Sequence, residues 1–218
     1  MHPAIPAIRS IVEHQFSEES TGHDWHHIER VTKLALRIGE KEGANLTVIE
    51  LAGLLHDISD HKFNGGDFNK GGHVAAIILQ EIDVESVIID QVIHIVNNIS
   101  YKGAHVVNTM QSLEGKIVQD ADRLDAIGAI GIARTFAYGG HKGHPIYKPS
   151  IPPTLHSSPE EYQKTTHTIN HFHEKLLLLK DRMHTETGRK IAETRHQFME
   201  EFLNQFHDEW NSVDNTYE

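Results

Sequence analysis

Apolar residues recur along this chain with the spacing of helices, and two-residue alternation over the length of a strand is scarce. Aliphatic side chains at positions i, i+3, i+4 and i+7 are typical of amphipathic α-helices. We therefore predict an all-α protein. The predicted helices cover residues 4–19, 24–43, 47–59, 71–82, 84–99, 112–126, 128–138, 159–184 and 188–211.

Small and polar residues mark where several of these helices begin and end. Gly43 is predicted to end the second helix, and either Asn45 or Thr47 to cap the third. Pro159 fits the first turn of the eighth helix, because that turn needs no N–H from its first residue. These signals support the helix boundaries independently of the apolar pattern.

Two segments rich in glycine or proline interrupt the helical pattern, at residues 62–72 and 139–153. Loops of this length inside a compact domain are usually functional or disordered. Two interpretations stay open. The segments are either surface linkers, or flaps over an active site with Lys62 and Lys142 facing substrate phosphates.

Three of the predicted apolar stripes end in side chains that bind metal ions. His27 lies on the stripe of the second helix, His56 continues that of the third, and Asp122 lies on that of the sixth. Asp57, next to His56, would be a costly buried carboxylate without a cation. One histidine on an apolar face is more often a core residue than a ligand, but three such stripes together indicate a site. We predict four metal ligands: His27, His56, Asp57 and Asp122.

The chemistry of these four side chains limits which ion they would bind. The chain has no cysteine, so every ligand atom must be nitrogen or oxygen. Such donors suit one Mn²⁺, Fe²⁺, Co²⁺, Ni²⁺ or Zn²⁺ ion, with Mg²⁺ also open. Two imidazoles and two carboxylates leave positions for water, which favours a catalytic site over a structural one. A zinc-protease His-Glu-x-x-His motif and a phosphate-binding loop are both absent.

Composition excludes several classes of partner. The formal charge of −11 and the lack of a basic stripe argue against nucleic-acid binding. No sequence stretch is apolar enough for a membrane span and none resembles a signal peptide, so we expect a soluble cytoplasmic protein without a membrane partner. Most of the 19 histidines must lie at the surface, since no single site could use them.

Longer strings around the predicted ligands resemble one family. Residues 22–25, 27–31, 54–58 and 119–128 are similar to the YpgQ/YedJ-type bacterial branch of the HD-domain superfamily of metal-dependent phosphohydrolases. The similarity continues through 99–103, 134–140 and 169–172. The resemblance implies an HD-domain helical bundle with a C-terminal helical extension, in a single domain over 1–218.

Within that domain, the HD core is expected at about 20–130 and the C-terminal helices at about 159–211. The resemblance also implies that the four predicted ligands hold one ion, with Mn²⁺ first among the candidates. The implied activity is pyrophosphohydrolysis of nucleoside triphosphates, with deoxynucleotides preferred. Aromatic residues of the last helix, such as Phe198 and Phe202, are expected in the core or in the interface of a homodimer.

Two further carboxylates and six basic side chains complete the candidate site. Asp60, one turn after Asp57, is predicted to orient the attacking water, although an exposed helix end is the alternative. Asp125 could orient water, hold a ligand histidine, or lie solvated on the helix surface. The candidate substrate-binding residues are His23, Arg30, Lys62, Lys102, Arg134 and Lys142.

The predicted reaction is metal-assisted cleavage of a phosphoanhydride bond. A carboxylate helps to deprotonate water, which attacks the α-phosphorus while basic side chains stabilise the departing pyrophosphate. Two alternatives stay open, a nucleoside monophosphate phosphatase (5′-nucleotidase) and a non-catalytic nucleotide or metal sensor. The pair Asp60-His61 stands where HD hydrolases of stringent-response nucleotides carry Glu-Asp, which counts against that activity.

Overall fold

In this computed structural model, every regular element of the described residues is helical, which confirms the all-α prediction. The described residues are 2–17, 24–58, 70–99, 109–154 and 167–213. None of the helices in these ranges is both long and apolar enough to span a bilayer. The elements are α1 (Ile5–Gln15), α2 (Trp25–Glu42), α3 (Leu46–Leu55), α4 (Lys70–Glu81), α5 (Ser86–Asn98), α6 (Leu113–Asp125), α7 (Gly128–His141), α8 (Thr168–Glu174), a 3₁₀-helix (Leu176–Arg182) and α9 (Glu186–Trp210).

The helix α2 lies at the centre of the core, between α3 and α6. Its apolar stripe is completely buried, including Ile28, Val31, Ala35 and Ile38. Around this centre α1 packs on α3, α4 pairs with α5, and α9 lies along α7 and against α6. Burying a stripe of this kind stabilises a helix more than its intrinsic propensity does. The packing therefore brings the stripes of α2, α3 and α6 together.

Side-chain caps fix the ends of the central helices. Gly43 ends α2 in the left-handed conformation, with φ +72°, as predicted. Of the two predicted caps for α3, the structure uses Asn45, whose side chain accepts hydrogen bonds from the N–H groups of Thr47 and Val48. Ser112 caps α6 in the same way. These caps set the register in which the helices present their buried faces.

The predicted helix over 159–184 is wrong in its described part. His167 caps α8 by accepting a hydrogen bond from the Asn170 N–H, so a new helix begins at Thr168. Lys175, with φ −142°, then separates α8 from the 3₁₀-helix. Leu176 and Leu179, three residues apart, are the buried side chains of that helix, which matches its three-residue period. The run of four leucines therefore does not continue the α-helical pattern.

The segment predicted as a loop over 139–153 also differs from the prediction. The helix α7 continues to His141, and the rest packs on α8. The backbone N–H groups of Thr168 and Ile169 donate to the carbonyl oxygens of Pro145 and Ile146, and the His167 side chain bonds the Ile151 carbonyl. Residues 140–154 are mostly exposed and are bonded to α8, which favours the surface-linker interpretation of this segment over the flap.

Tyr147 of this segment is the centre of a group of rings at the C-terminal end of α9. Its ring centroid lies between 5.1 and 5.8 Å from those of four neighbours. We call this group the aromatic cluster: Tyr147, His167, Phe206, His207 and Trp210. The edge-to-face arrangement of these rings is the favourable one for aromatic side chains. The cluster anchors residues 144–154 to the end of the molecule that α8 and α9 form.

Candidate metal centre

His27 is held rigidly in the first turn of α2. The Asp24 side chain caps this helix by accepting a hydrogen bond of 2.8 Å from the His27 N–H. The His27 side chain is completely buried, and its Nδ1 lies 2.7 Å from the Asp125 carboxylate of α6. Because an ionised carboxylate only accepts hydrogen bonds, Nδ1 carries a proton, so Nε2 is the nitrogen that presents a lone pair when His27 is neutral.

His56 is fixed in the same sense by a different partner. The helix α3 ends at Leu55 and not at 59 as predicted, because a three-residue bond from the Ile58 N–H to the Leu55 carbonyl forms a turn there. Within that turn, His56 Nδ1 lies 2.8 Å from the Gly53 carbonyl oxygen. A carbonyl oxygen accepts only, so the Nε2 of His56 also presents a lone pair.

Gly53 is needed where α3 crosses α2. A Cβ atom at this position would lie 3.0 Å from Thr32 Oγ1 and 3.2 Å from Thr32 Cα, which is tighter than ordinary contact. The absence of that atom allows the two helices to approach closely next to His56. The glycine therefore contributes twice, through the close helix crossing and through the carbonyl that orients the imidazole.

Three donor atoms converge between these helices. The Nε2 atoms of His27 and His56 are 3.2 Å apart, and Asp57 Oδ2 lies 3.4 Å from the first and 3.5 Å from the second. Donors about 2.1 Å from a common ion lie about 3.0 to 3.4 Å apart in octahedral or tetrahedral sites. With both imidazoles neutral, two lone pairs and a carboxylate at these distances repel each other unless a cation lies between them. The arrangement therefore fits a divalent ion.

Asp122 approaches the same point from α6. Its Oδ1 lies 3.6 Å from His27 Nε2, and its side chain is 31% exposed, more than that of His27, His56 or Asp57. Within the described ranges, the tightest donor group contains His27, His56 and Asp57, all within 4.8 Å of one another. Asp122 thus lies on the solvent side of this group. The structure brings together all four side chains that the sequence analysis selected.

Asp125 lies behind His27, with two arginines. Its carboxylate accepts from His27 Nδ1, from Nε and one terminal nitrogen of Arg30 at 2.8 and 3.0 Å, and from Arg134 at 2.9 Å. It is 4% exposed, so the predicted alternative of a solvated surface carboxylate is wrong. Its contacts favour the alternative in which Asp125 holds a ligand histidine.

The charges around this pair shift both pKa values. Burial opposes ionisation of Asp125, but the hydrogen bonds from His27 and Arg30 outweigh it and hold the pKa of Asp125 far below its usual range. Burial would likewise lower the pKa of His27, whereas its bonds to Asp125 and Asp57 raise it above the ordinary value. Asp125 therefore stays ionised and keeps its hydrogen bond to His27.

Comparison with known proteins agrees with this geometry. The HD-domain family model matches residues 24–127, which include the four converging side chains. The Bacillus subtilis protein YpgQ is 41% identical over 95% of this chain and 94% of its own length. This chain belongs to the HD-domain superfamily. The resemblance inferred from the sequence strings is confirmed, and His56-Asp57 is the HD pair of the family name.

Several solved structures share the fold over nearly the full chain. A Bacillus thuringiensis HD-superfamily hydrolase is 44% identical with a TM-score of 0.74, covering 95% of this chain and 96% of its own. A Lactobacillus plantarum protein is 37% identical with a TM-score of 0.83, covering 97% and 98%. YpgQ in complex with ADP superposes with 38% identity and a TM-score of 0.73, covering 96% and 100%.

The predicted substrate-binding residues and Asp60 do not all lie at the metal centre in the described part of the chain. Arg30 and Arg134 both contact Asp125, which bonds the proposed ligand His27. Lys142 follows α7 and lies about 12 Å beyond Arg134 along the helix axis, with its Nζ 5.6 Å from the centre of the Tyr138 ring. Among the described residues, Lys142 therefore lies apart from Arg30 and Arg134. His23, Asp60, Lys62 and Lys102 lie outside the described residues.

Two polar groups on α3 and α6 were not foreseen from the sequence, and only the first of them orients a proposed metal ligand. The first is the Gly53 carbonyl, which bonds His56 Nδ1. The available signal was its position three residues before His56 at a helix end, where carbonyl groups lack partners within the helix. The second is Asp120, which is completely buried and accepts from the N–H and the hydroxyl of Thr185, the residue that caps α9. Its charged side chain in an apolar stripe of α6 was the available signal.

Proposed function

We propose that this HD-domain protein is a metal-dependent phosphohydrolase that cleaves nucleoside triphosphates, with deoxynucleotides preferred, to the monophosphate and pyrophosphate. The observation that carries this proposal is the convergence of two imidazole lone pairs with two carboxylates at 3.2 to 3.6 Å. The ADP complex of YpgQ supports a nucleotide as the ligand class.

The donor set supports one divalent ion held by His27, His56, Asp57 and Asp122. Nitrogen and oxygen donors without sulfur are compatible with Mn²⁺, Ni²⁺, Fe²⁺, Co²⁺, Zn²⁺ and Mg²⁺, and the family resemblance places Mn²⁺ first among them. When bound, such an ion supplies a Lewis acid for phosphate oxygens and lowers the pKa of water. The protein contributes fixed imidazole orientations, because the Nδ1 atoms of both histidines are already bonded.

Asp60 is the proposed base, and Asp125 is assigned a positioning role. Both oxygens of Asp125 already accept hydrogen bonds from cationic or imidazole groups, which lower its pKa and make it a poor proton acceptor. Asp60 follows Asp57 by three residues in the sequence. It therefore remains the carboxylate that we propose to take the proton from the attacking water.

Arg30 and Arg134 are the proposed phosphate-facing cations among the described residues. Each contacts Asp125, next to His27, and Arg30 is partly exposed. A guanidinium has five N–H donors, and Arg30 uses two of its nitrogens on Asp125, which leaves donors for a phosphate oxygen. His23, Lys62 and Lys102 are proposed to contact the substrate from segments that precede or follow the described helices. Lys142 is not retained in this role.

We propose that water attacks the α-phosphorus, so that the bond to the β-phosphate oxygen breaks and pyrophosphate leaves. The four ligand side chains lie deep between α2, α3 and α6, with Asp122 on the solvent side. A nucleotide whose α-phosphate reaches this group would extend its β- and γ-phosphates toward the arginines. This orientation rests on the burial of the ligands and on the position of Arg30.

The decisive experiment is a reaction in ¹⁸O-labelled water over a panel of nucleoside mono- and triphosphates with Mn²⁺. Labelled monophosphate with unlabelled pyrophosphate is the expected result for triphosphates. Release of orthophosphate from monophosphates would instead establish the phosphatase alternative. Tight nucleotide or metal binding without turnover over the whole panel would establish the sensor alternative, with which an ADP ligand in a relative is equally compatible.

A further inference from the structure

Arg195 of α9 contacts the turn between α6, which carries Asp122 and Asp125, and α7, which carries Arg134. Its guanidinium NH1 donates a hydrogen bond to the backbone carbonyl of Leu124, which lies 71 residues away in the last turn of α6. Leu124 is next to Asp125 and two residues after Asp122. The Leu124 carbonyl also accepts a hydrogen bond of 3.2 Å from the Ile127 N–H of the following turn, so the guanidinium is a further donor to this helix end, supplied by another helix.

The aliphatic part of the same side chain covers the turn between α6 and α7. A Cβ atom on Gly128 would lie 3.0 Å from both Cβ and Cγ of Arg195, so the stem is in direct contact with that turn. Gly128 begins α7 with φ +75°, a left-handed conformation that glycine adopts without strain. One side chain thus contacts the turn through its stem and through its charged end.

This turn determines where two parts of the site lie. On one side is Asp125, which holds the Nδ1 proton of His27. On the other side is α7, which carries Arg134, and the Arg134 guanidinium bonds both the carbonyl oxygen and the carboxylate of Asp125. A shift of the turn would therefore move the acceptor of His27 and the cation beside it together.

Arg195 also belongs to the electrostatic environment of Asp125. Burial lowers the pKa of the Arg195 guanidinium, while the negative charge of Asp125 raises it. An arginine retains its charge over such a shift. Arg195 lies outside residues 24–127, the range that matches the HD-domain model, so this cation comes from the C-terminal helical part of the chain.

We propose that Arg195 is a positioning residue of the metal centre, which fixes the α6–α7 turn and so keeps Asp125 in place to orient His27. The inference rests on the metal site of the proposed function but not on its substrate. It gives the C-terminal helix α9 a role in ion binding, although α9 supplies none of the four proposed ligands.

Three variants separate the stem of the side chain from its charge. Arg195→Met keeps an apolar stem over Gly128 but removes the hydrogen bond, and Arg195→Lys retains the charge and a single donor group. Arg189→Met is the matched control, because Arg189 also bonds backbone carbonyls from α9, those of Met183 and His184 away from the ligands. Each full-length variant is titrated with Mn²⁺ by calorimetry, and its thermal unfolding is followed separately.

We expect Arg195→Met to weaken Mn²⁺ binding by about tenfold, at the lower end of the effects typical of residues that support metal ligands. Arg195→Lys should recover part of this loss, and Arg189→Met should bind like the wild type. In the ion-free protein, the NMR signal of the His27 Nδ1 proton should exchange faster with water in Arg195→Met than in Arg189→Met. A merely structural role would lower thermal stability in both variants without this difference.

Wild-type affinity and an unchanged His27 proton signal in Arg195→Met would overturn the inference, as would equal losses in Arg195→Met and Arg189→Met. A wild-type chain without tight Mn²⁺ binding would overturn both this inference and the proposed metal site. If the wild type binds Mn²⁺ with the expected pattern of variants but cleaves no nucleotide, the proposed function fails and the positioning role of Arg195 is supported.

Discussion

His27 and His56 of the candidate metal centre and His167 of the aromatic cluster are all buried, and the two regions use these histidines in opposite ways. In the metal centre, His27 and His56 each bond one protein acceptor through Nδ1 and direct Nε2 toward carboxylates. In the aromatic cluster, His167 accepts a bond from the Asn170 N–H at Nδ1 and bonds the Ile151 carbonyl through Nε2. Both nitrogens of His167 are therefore used by the backbone.

The comparison shows that carboxylates, and not the number of histidines, distinguish a metal site in this chain. His27 has Asp57, Asp122 and Asp125 around it, and its bonds to carboxylates raise its pKa in spite of burial. His173, near the aromatic cluster, has its pKa lowered by burial and by the neighbouring His207. Three carboxylates therefore surround His27, whereas the neighbours that act on His173 include other histidines.

The largest effect on turnover is expected from Asp60, the proposed base. Asp60→Asn keeps the size of the side chain but removes its ability to accept a proton, so turnover of a deoxynucleoside triphosphate should fall by about 10²–10⁴-fold. The bound ion should remain, because Asp60 is not among the four ligands. Asp181→Asn, at an exposed position of the 3₁₀-helix, is the control. A pyrophosphate-release assay that finds near wild-type rates for Asp60→Asn would remove this residue from the mechanism.

A smaller effect is expected from the carboxylate that supports His27. Asp125→Asn should weaken Mn²⁺ binding by about 10- to 100-fold, since the variant no longer offers a charged acceptor to the imidazole. Asp120→Asn is a matched control, because Asp120 is also buried on α6 but bonds the cap of α9. It should lower the free energy of unfolding without changing the affinity for Mn²⁺. Calorimetric titrations that find equal losses in both variants would contradict the positioning role of Asp125.

The smallest effect is a pH dependence that only the metal centre should show. Because the folded-state pKa of His27 is raised above 6.5, its protonated form stabilises the ion-free protein fully below that pH. This contribution is lost as the pH rises through the raised value. The protonated form carries a second proton, on Nε2, and an ion must displace that proton in order to bind. Mn²⁺ affinity should therefore increase over this interval by up to about tenfold per pH unit, for one proton.

The measurement for this dependence is a series of Mn²⁺ titrations from pH 6.5 upward on the wild type and on His167→Gln. Both proteins should show the same slope, because His167 lies in the aromatic cluster and its two nitrogens bond the backbone. An affinity for Mn²⁺ that does not change with pH would show that His27 carries no proton that the ion must displace.

The helices and the ligand candidates could be predicted because both depend on local spacing. Apolar stripes on α2, α3 and α6 end in His27, His56 and Asp122, and burial of each stripe brings these side chains together. Gly43 and Asn45 are local signals too, and both cap the helices that they were expected to cap. In each of these cases the residues that decide the structure lie within about two turns of each other.

What could not be predicted depends on contacts between distant parts of the chain or on backbone details. The bonds from Arg134 to Asp125 and from Arg195 to Leu124 require α7 and α9 to pack beside α6. The break at Lys175 is another case. The leucines that follow it fit both an α-helix and a 3₁₀-helix in sequence. The position of Lys142 likewise followed from how far α7 extends.

The measurement that tests the central claim most directly is the metal content of three full-length proteins after purification and dialysis against Mn²⁺. We predict about one tightly bound ion per chain in the wild type and in His167→Ala, and none in His56→Ala. Circular dichroism would confirm that each variant is folded. A His56→Ala protein that stays fully loaded, or a wild type without a tight ion, would contradict the assignment of the HD pair and its neighbours as a metal centre.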